Sequence, residues 1–309
     1  AAMLSRMMVP EMERKGYNRA FAAAITAGGS LVTPIIPPGI ALIIYGLVAD
    51  VSIGKMFIAG LVPGLLCAVV LMFTVYLVAR KTNAKPSRES WPTGKEVVFS
   101  LGQACPALFL IFAVVGGIRA NIFTPTEAGA AAVLIVLAIG FFIYREMRIS
   151  HVVKALGETA RATASVMLVI MASAALGWIF SMEHAGVAVA NFVTSLTENK
   201  YMFLLIINIL LLTLGMFLEG NAILLILVPL LKPVVEHFGI DPVHFGIIMI
   251  FNLSIGAFTP PVGTVMLLVC NITQVSVGNF FKQSLPLLAA LLLMLMLVTY
   301  IPAISLFLV

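Results

Sequence analysis

The sequence predicts an all-α integral membrane fold, and three observations carry that prediction. Of 309 residues, 61% are hydrophobic and 10% charged, whereas soluble globular domains carry about 25% charged residues. The apolar residues fall in runs close to the roughly 20 that a helix needs to cross about 30 Å of hydrocarbon, not in ten-residue alternating strands, which excludes a β-barrel. Two of the apolar stretches are interrupted by Gly and Pro in the same way, a pattern treated below. The three cysteines (Cys67, Cys105 and Cys270) lie far apart in apolar stretches and form no disulfide framework or CxxC site. A net charge of +5 reads as loop bias and not as a nucleic-acid footprint. The opening AAMLSRMM, with no initiator Met or signal peptide, is expected of a sequence that starts partway through a longer protein.

In chain order, Met56 to Ala79 is free of charge, and the following segment holds Arg80, Lys81, Lys85, Arg88 and Lys95. Short loops rich in Lys and Arg are cytoplasmic. Val97 to Ile118 and Ala128 to Tyr144 are two further spans joined by the turn RANIFTPTE. Two crossings return the chain to one side, and the next loop again carries Arg145, Arg148 and Lys154. Residues 149 to 160 read as an interfacial amphipathic helix. Thr163 to Phe180 stops at SMEHAG and resumes as VAVANFVTSL, which predicts a hairpin that enters the membrane and returns. Tyr201 to Leu218, Ala222 to Val235, Phe245 to Cys270 and Leu285 to Val309 supply the remaining apolar segments.

The chain repeats itself. GYNRAFAAAITAGGSLVTPIIPPGIALIIYG starts at Gly16 and GIDPVHFGIIMIFNLSIGAFTPPVGTVMLLVC at Gly239; Gly16 to Pro37 and Gly239 to Pro260 are equal intervals without a gap. Val9-Pro10 and Val228-Pro229 precede the copies, with an intervening loop of different length. Paired apolar segments interrupted by Gly and Pro in two halves mark the midplane site of a secondary transporter. Proline removes a donor and frees carbonyls that lipid cannot satisfy. With hydroxyls of Ser30 and of Thr33 or Thr259, these make an oxygen cage suited to Na⁺, while the N–H groups opening the second half-helix suit an anionic substrate. The fold expected is therefore a polytopic helical transporter with inverted repeats, broken helices and re-entrant hairpins. Two Pro kinks with a packing role alone are the weaker alternative.

Glu219, in LGMFLEGNAIL, lies between apolar stretches and is flanked by Gly215 and Gly220, which permit an unwound segment; a carboxylate at membrane depth is by default an ion ligand, a proton carrier or a partner for a cation, and a loop at the water interface is the alternative. Asn252 and Ser254 either extend a polar pocket or hydrogen-bond between helices. Arg161 and Thr163 begin the expected hairpin; Arg161 either binds a substrate carboxylate bidentately or snorkels at a helix end. Together with Pro37 and Pro261 at the breaks, these four are the candidate substrate contacts. His151, His184, His237 and His244 show no metal spacing, so no catalytic residue is assigned. SIGKM around Lys55 lacks the earlier Gly and the Ser/Thr of a phosphate loop. Energy is then expected from an ion gradient, which supplies about 2.3 kcal/mol per charge per 100 mV.

The motifs MVPEMERKGYNRAFAAAITAGG, PIIPPGIALIIYG, SIGKMFIAGLVPGLL, FTPTEAGA, LGMFLEGNA, GIDPVHFGIIM and TPPVG occur in this order over nearly the whole chain. They resemble the large membrane subunit of tripartite ATP-independent periplasmic (TRAP) transporters. The resemblance implies a bacterial inner-membrane, multi-pass, Na⁺-coupled importer of an organic acid such as a sialic acid or a C4-dicarboxylate. It also implies an elevator movement, no cofactor beyond the coupling ion, a periplasmic substrate-binding protein and a small membrane subunit. The resemblance further implies that the first quarter to third of that subunit is missing from this sequence. It places one Na⁺ site at Gly29, Ser30, Thr33 and Pro34, and another at Gly215, Met216, Glu219 and Gly220, closed by Gly256, Thr259 and Pro260. The family usually has Asp where this chain has Glu219.

On this reading residues 1–50 and 161–280 form the transport domain, while 51–160 and 281–309 form the scaffold. A self-sufficient sodium/carboxylate symporter without a binding protein is the alternative. An intramembrane enzyme would need paired titratable groups, and Glu219 stands alone at depth.

Overall fold

The computed structural model describes residues 1–81, 93–120, 122–183, 188, 189, 191, 195 and 197–309. Among them all regular structure is helical, and seven helices are long and apolar enough to cross a membrane. The chain divides into two units, Ala1–Ser87 with Ile179–Val309, and Arg88–Trp178.

The first unit opens with α1 (Ala2–Arg14), α2 (Arg19–Ser30), α3 (Ile40–Ala49) and α4 (Ile53–Lys81). It resumes with α8 (Lys200–Phe217), α9 (Gly220–His237), α10 (Pro242–Phe258), α11 (Thr264–Thr273), α12 (Val277–Tyr300) and a last short turn, α13 (Ala303–Leu306). The two copies of the repeat share their corner down to single hydrogen bonds. Gly16 and Gly239 have φ of 86° and 61°, the left-handed conformation that favours glycine after a helix end. The Gly16 and Gly239 N–H groups donate to the Glu13 and Glu236 carbonyls, and those of Tyr17 and Ile240 to Met12 and Val235. Asn18 then caps α2 by accepting from the Ala20 and Phe21 N–H groups. Asp241 caps α10 in the same way, from Val243 and His244. The constant offset makes Pro233 the counterpart of Pro10, with no loop to accommodate; the expected match to Pro229 is corrected.

The repeat also runs further than the Pro pairs. Val262 is inserted after the second pair, beyond which VSIGKMF (51–57) faces VSVGNFF (275–281). Asp50 and Gln274 close α3 and α11 at φ of 58° and 54°, each before the repeated Val-Ser. SIGKM is thus the start of a membrane helix. The two copies interlock: α1 packs on α11 and α9 on α3, while α2 packs on α12 and α10 on α4. Charge distinguishes the corners. The α1–α2 corner carries Arg14, Lys15 and Arg19, paired with Glu11 and Glu13. The α9–α10 corner presents Glu236 and Asp241 and carries no Lys or Arg over residues 233–243, a difference of the kind by which the positive-inside rule sorts loops.

α8 and α9 form a helical hairpin. At its open end the Phe203 ring, in the first turn of α8, stacks 4.7 Å from that of Phe238 just past α9. At its tip Leu218 and Glu219 are extended, with ψ of 157° and 133°. Of the hairpin expected at Thr163 to Leu196, the first arm is helical and stops at Met182, within SMEHAG. That arm belongs to α7 (Ile149–Met182), one continuous helix that also absorbs the separate amphipathic helix expected over 149–160. Nothing between Gly157 and Thr163 breaks a helix, since GETARAT contains no Pro and its Ala, Glu and Arg favour helix. Most of the expected second arm lies outside the described residues.

The second unit holds α5 (Gly94–Arg119), α6 (Pro125–Ala138), a π-helical turn at Ile139–Ile143 and most of α7. Capping boxes start α5 (Thr93 with Glu96) and α6 (Thr124 with Glu127). The α5–α6 turn closes where the Phe123 ring covers Gly117, whose carbonyl accepts from the Ile122 and Phe123 N–H groups. Phe99, Phe109 and Phe112 stay on the outside of α5, the surface that lipid or another apolar partner satisfies.

Candidate functional site

Both expected breaks are present, and they differ in build. The first runs from Leu31 to Gly39. Pro34 cannot donate to the Ser30 carbonyl, so the ladder of α2 tightens into i→i+3 bonds at Leu31, Val32 and Thr33 and ends. α4 receives this loop through Gly60 and Gly64: a Cβ on Gly60 would run into the Ile35 carbonyl oxygen, and one on Gly64 into the Ile36 side chain. Gly29 and Thr33 are exposed, Ser30 is half-buried, and the Ser30 hydroxyl donates to the Ala27 carbonyl at 2.7 Å. Pro34 is half-buried and Pro37 buried. A Cβ on Gly29 would meet nothing within 4 Å, so its lack of a side chain leaves open space beside Ser30.

The second break is shorter, Thr259 to Gly263. Gly263 has φ of 28°, and a Cβ there would stand 2.6 Å from the Thr259 carbonyl oxygen, so glycine is required. Its N–H donates to the Met216 carbonyl at 2.9 Å. That bond joins the last turn of α8 to the break between α10 and α11. One turn away the backbones touch: a Cβ on Gly256 would lie 2.6 Å from the Gly215 carbonyl carbon and 2.7 Å from its Cα. The structure thus brings together Gly215, Met216, Gly256 and the Thr259–Pro260 break, residues from opposite ends of a long sequence interval. The Thr259 hydroxyl donates to the Ile255 carbonyl at 2.8 Å, which leaves its oxygen lone pairs free for a cation.

Glu219 sits at the hairpin tip, exposed, as the N-cap of α9. Its carboxylate accepts from the Ala222 N–H at 3.0 Å and from the Asn221 side-chain amide at 2.8 Å. Gly220 begins the helix it caps. An N-cap replaced by Ala typically costs about 1 kcal/mol, whereas Asp is among the preferred caps. Glu219→Ala is therefore expected to lower the thermal midpoint of the complex by a few degrees, and Glu219→Asp to leave it within a degree. A thermal melt of the detergent-solubilised complex checks both.

The remaining candidates are placed elsewhere. Arg161 and Thr163 are exposed on α7, in the second unit. Ser254 is buried, its hydroxyl donating to the Ile250 carbonyl. Asn252 is completely buried and bonded to Asn208 of α8, which selects the interhelical role over a place in an open pocket. Pro261 is exposed and Pro260 half-buried. Sequence reasoning missed Gly60, Gly263 and Asn208; the one available signal was that Gly60 and Gly64 share a face of an apolar helix.

The family model described as "Tripartite ATP-independent periplasmic transporter, DctM component" matches residues 1–304. The chain is 39% identical over 309 residues to the C4-dicarboxylate TRAP transporter large permease protein DctM of Pseudomonas aeruginosa, covering 99% of this chain and 71% of that protein. It is 38% identical to the sialic acid TRAP transporter large permease protein SiaM of Vibrio cholerae, covering 100% and 72%. It is 37% identical to the isethionate TRAP transporter permease protein DctMQ of Oleidesulfovibrio alaskensis, covering 99% and 48%.

Proposed function

This chain belongs to the DctM component family of tripartite ATP-independent periplasmic transporters, and on that premise we propose that it imports an organic acid by coupling to sodium. It is a permease of the inner membrane and not an enzyme. The observation that carries the sodium reading is the meeting of the α8–α9 tip with the second break through the Met216 carbonyl and the Gly263 N–H. It gathers backbone carbonyls and the Thr259 hydroxyl where a helix is interrupted, the hard oxygen environment that Na⁺ takes, while the first N–H groups of α11 face an anion. Gly29, Ser30, Thr33 and Pro34 supply the second ion site at the first break.

A carboxylate or related acid is the cargo, in keeping with the C4-dicarboxylate, sialic acid and isethionate named for the relatives. A periplasmic binding protein delivers it, and a small membrane subunit completes the complex, a separate chain here or fused as the DctMQ name of one relative suggests. We assign α4 and α12 to the moving part, because Gly60 of α4 holds the first break and α12 packs on α2. The second unit is then scaffold for an elevator movement.

Sodium activation curves of uptake in Thr33→Ala and Thr259→Ala complexes test the assignment. Each is expected to shift the half-saturating Na⁺ concentration upward several-fold; curves superimposable on the unmodified complex would remove these residues from the site.

A further inference from the structure

Five polar side chains are buried together in the first unit: Asn208 and Asn252 at 0% exposure, Thr299 at 1%, His244 and Ser305 at 2%. They form one chain of hydrogen bonds. Asn252 Nδ2 donates to Asn208 Oδ1 at 2.7 Å, and Asn208 Nδ2 donates to Thr299 Oγ1 at 3.0 Å. The Thr299 carbonyl lies 3.3 Å from His244 Nε2, and His244 Nδ1 lies 2.6 Å from Ser305 Oγ. α8 is thereby tied sideways to α10 and to the end of α12.

The Asn pair is not an optimised source of stability. Asn252 Nδ2 also reaches the Ile248 carbonyl of its own helix, yet Asn252 Oδ1 has no hydrogen-bond partner. A half-satisfied buried amide in an apolar seam contributes less than two packed leucines would. What it supplies is register. In parallel coiled coils a single buried Asn position fixes axial alignment at a cost in stability, and α8 and α10 are such a seam. Asn208 meets Asn252, Gly215 meets Gly256, and Met216 meets Gly263, so the numbers rise together and the helices run parallel. Apolar packing alone would tolerate a slip of one turn, about 5.4 Å. That slip would carry the Met216 carbonyl away from the Gly263 N–H.

We propose that the Asn208–Asn252 pair is a positioning device that sets the register of the hairpin arm α8 on α10 and so places the Met216 carbonyl at the second break. The transport arm of its test rests on the sodium-coupled reading above; the exchange arm does not. The test is an Asn208→Leu/Asn252→Leu double variant in the complete membrane complex. Its thermal midpoint is expected to equal or exceed that of the unmodified complex. The Gly263 amide is expected to exchange with deuterium roughly tenfold faster or more. The half-saturating Na⁺ concentration for uptake should rise several-fold, with the maximal rate changed less.

A folded variant with Gly263 protected as before would overturn the proposal, as would a drop in thermal midpoint with no change in exchange or Na⁺ dependence, the mark of a purely structural pair. If the double variant does not fold, Asn208→Ala keeps the Asn252 bond to Ile248 and removes the link. Faster exchange at Gly263 in it supports the proposal, and unchanged exchange refutes it. Uptake by the unmodified complex that ignores Na⁺ would sink the sodium reading and leave Gly263 exchange to decide the register.

Discussion

Gly256→Ala is expected to raise the half-saturating Na⁺ concentration for uptake about tenfold or more while the complex stays folded. The added methyl would sit 2.6 Å and 2.7 Å from Gly215 backbone atoms, so no side-chain rotation relieves it and α8 must lift from α10. Overpacking of this kind costs about 1–3 kcal/mol, partly offset by the roughly 1 kcal/mol that Ala gains over Gly within a helix. Global stability therefore changes little. The strain falls locally on the Met216–Gly263 bond, where each 1.4 kcal/mol is about a factor of ten in affinity.

The steric argument also orders a series. A Cβ on Gly215 approaches Gly256 Cα at 3.2 Å, and one on Gly220 meets Leu253 Cβ at 3.4 Å, an ordinary van der Waals contact. The effect on Na⁺ dependence is expected to fall from Gly256→Ala to Gly215→Ala to Gly220→Ala. Sodium activation curves for the three, with thermal melts as controls, check the order; equal effects, or the largest at Gly220, would contradict the backbone-contact account.

Gly60→Ala is expected to abolish most uptake through the first break. Its methyl would overlap the Ile35 carbonyl oxygen, so either α4 retreats or the Leu31–Gly39 loop is displaced. Gly64→Ala is the milder comparison, because its methyl would meet Ile36 Cγ1 at 2.5 Å, a side-chain atom that gives way more readily than backbone although a β-branched residue is stiff at χ1. Gly29→Ala is a control of the opposite kind. With nothing within 4 Å of its Cβ, it folds without strain, and any loss of sodium dependence there reports on the ion site and not on packing. Uptake rates and expression levels for the three variants separate the cases. Full activity in Gly60→Ala would show that the loop does not depend on its seat in α4.

The equal interval from Gly16 to Pro37 and from Gly239 to Pro260 made the broken helices legible, because a glycine after a helix end and a proline within one act locally, wherever the rest of the chain lies. The α8–α9 hairpin was missed for a related reason. SMEHAG is a conspicuous polar interruption, whereas the Leu218–Glu219 tip is marked by one carboxylate between long apolar runs. The placement of Glu219 in an unwound segment between glycines was readable; its use as a helix cap was not, since Glu is not among the usual caps. VSIGKMF and VSVGNFF were in plain view, yet Lys55 invited comparison with a phosphate loop in place of the second copy. The contacts of Gly215 with Gly256 and of Asn208 with Asn252 join α8 to α10 across sequence that carries no record of their pairing. Small residues and amides in apolar helices are common, and which of them meet is decided by the fold.

Uptake of labelled organic acids by proteoliposomes containing the complete membrane complex tests the central claim most directly, with the inward Na⁺ gradient and the periplasmic binding protein each present or withheld. Uptake is predicted to require both, and to be lost on dissipating the gradient. Accumulation that persists without sodium would contradict the coupling assigned to the broken helices, and accumulation of free acid without the binding protein would contradict the tripartite assembly.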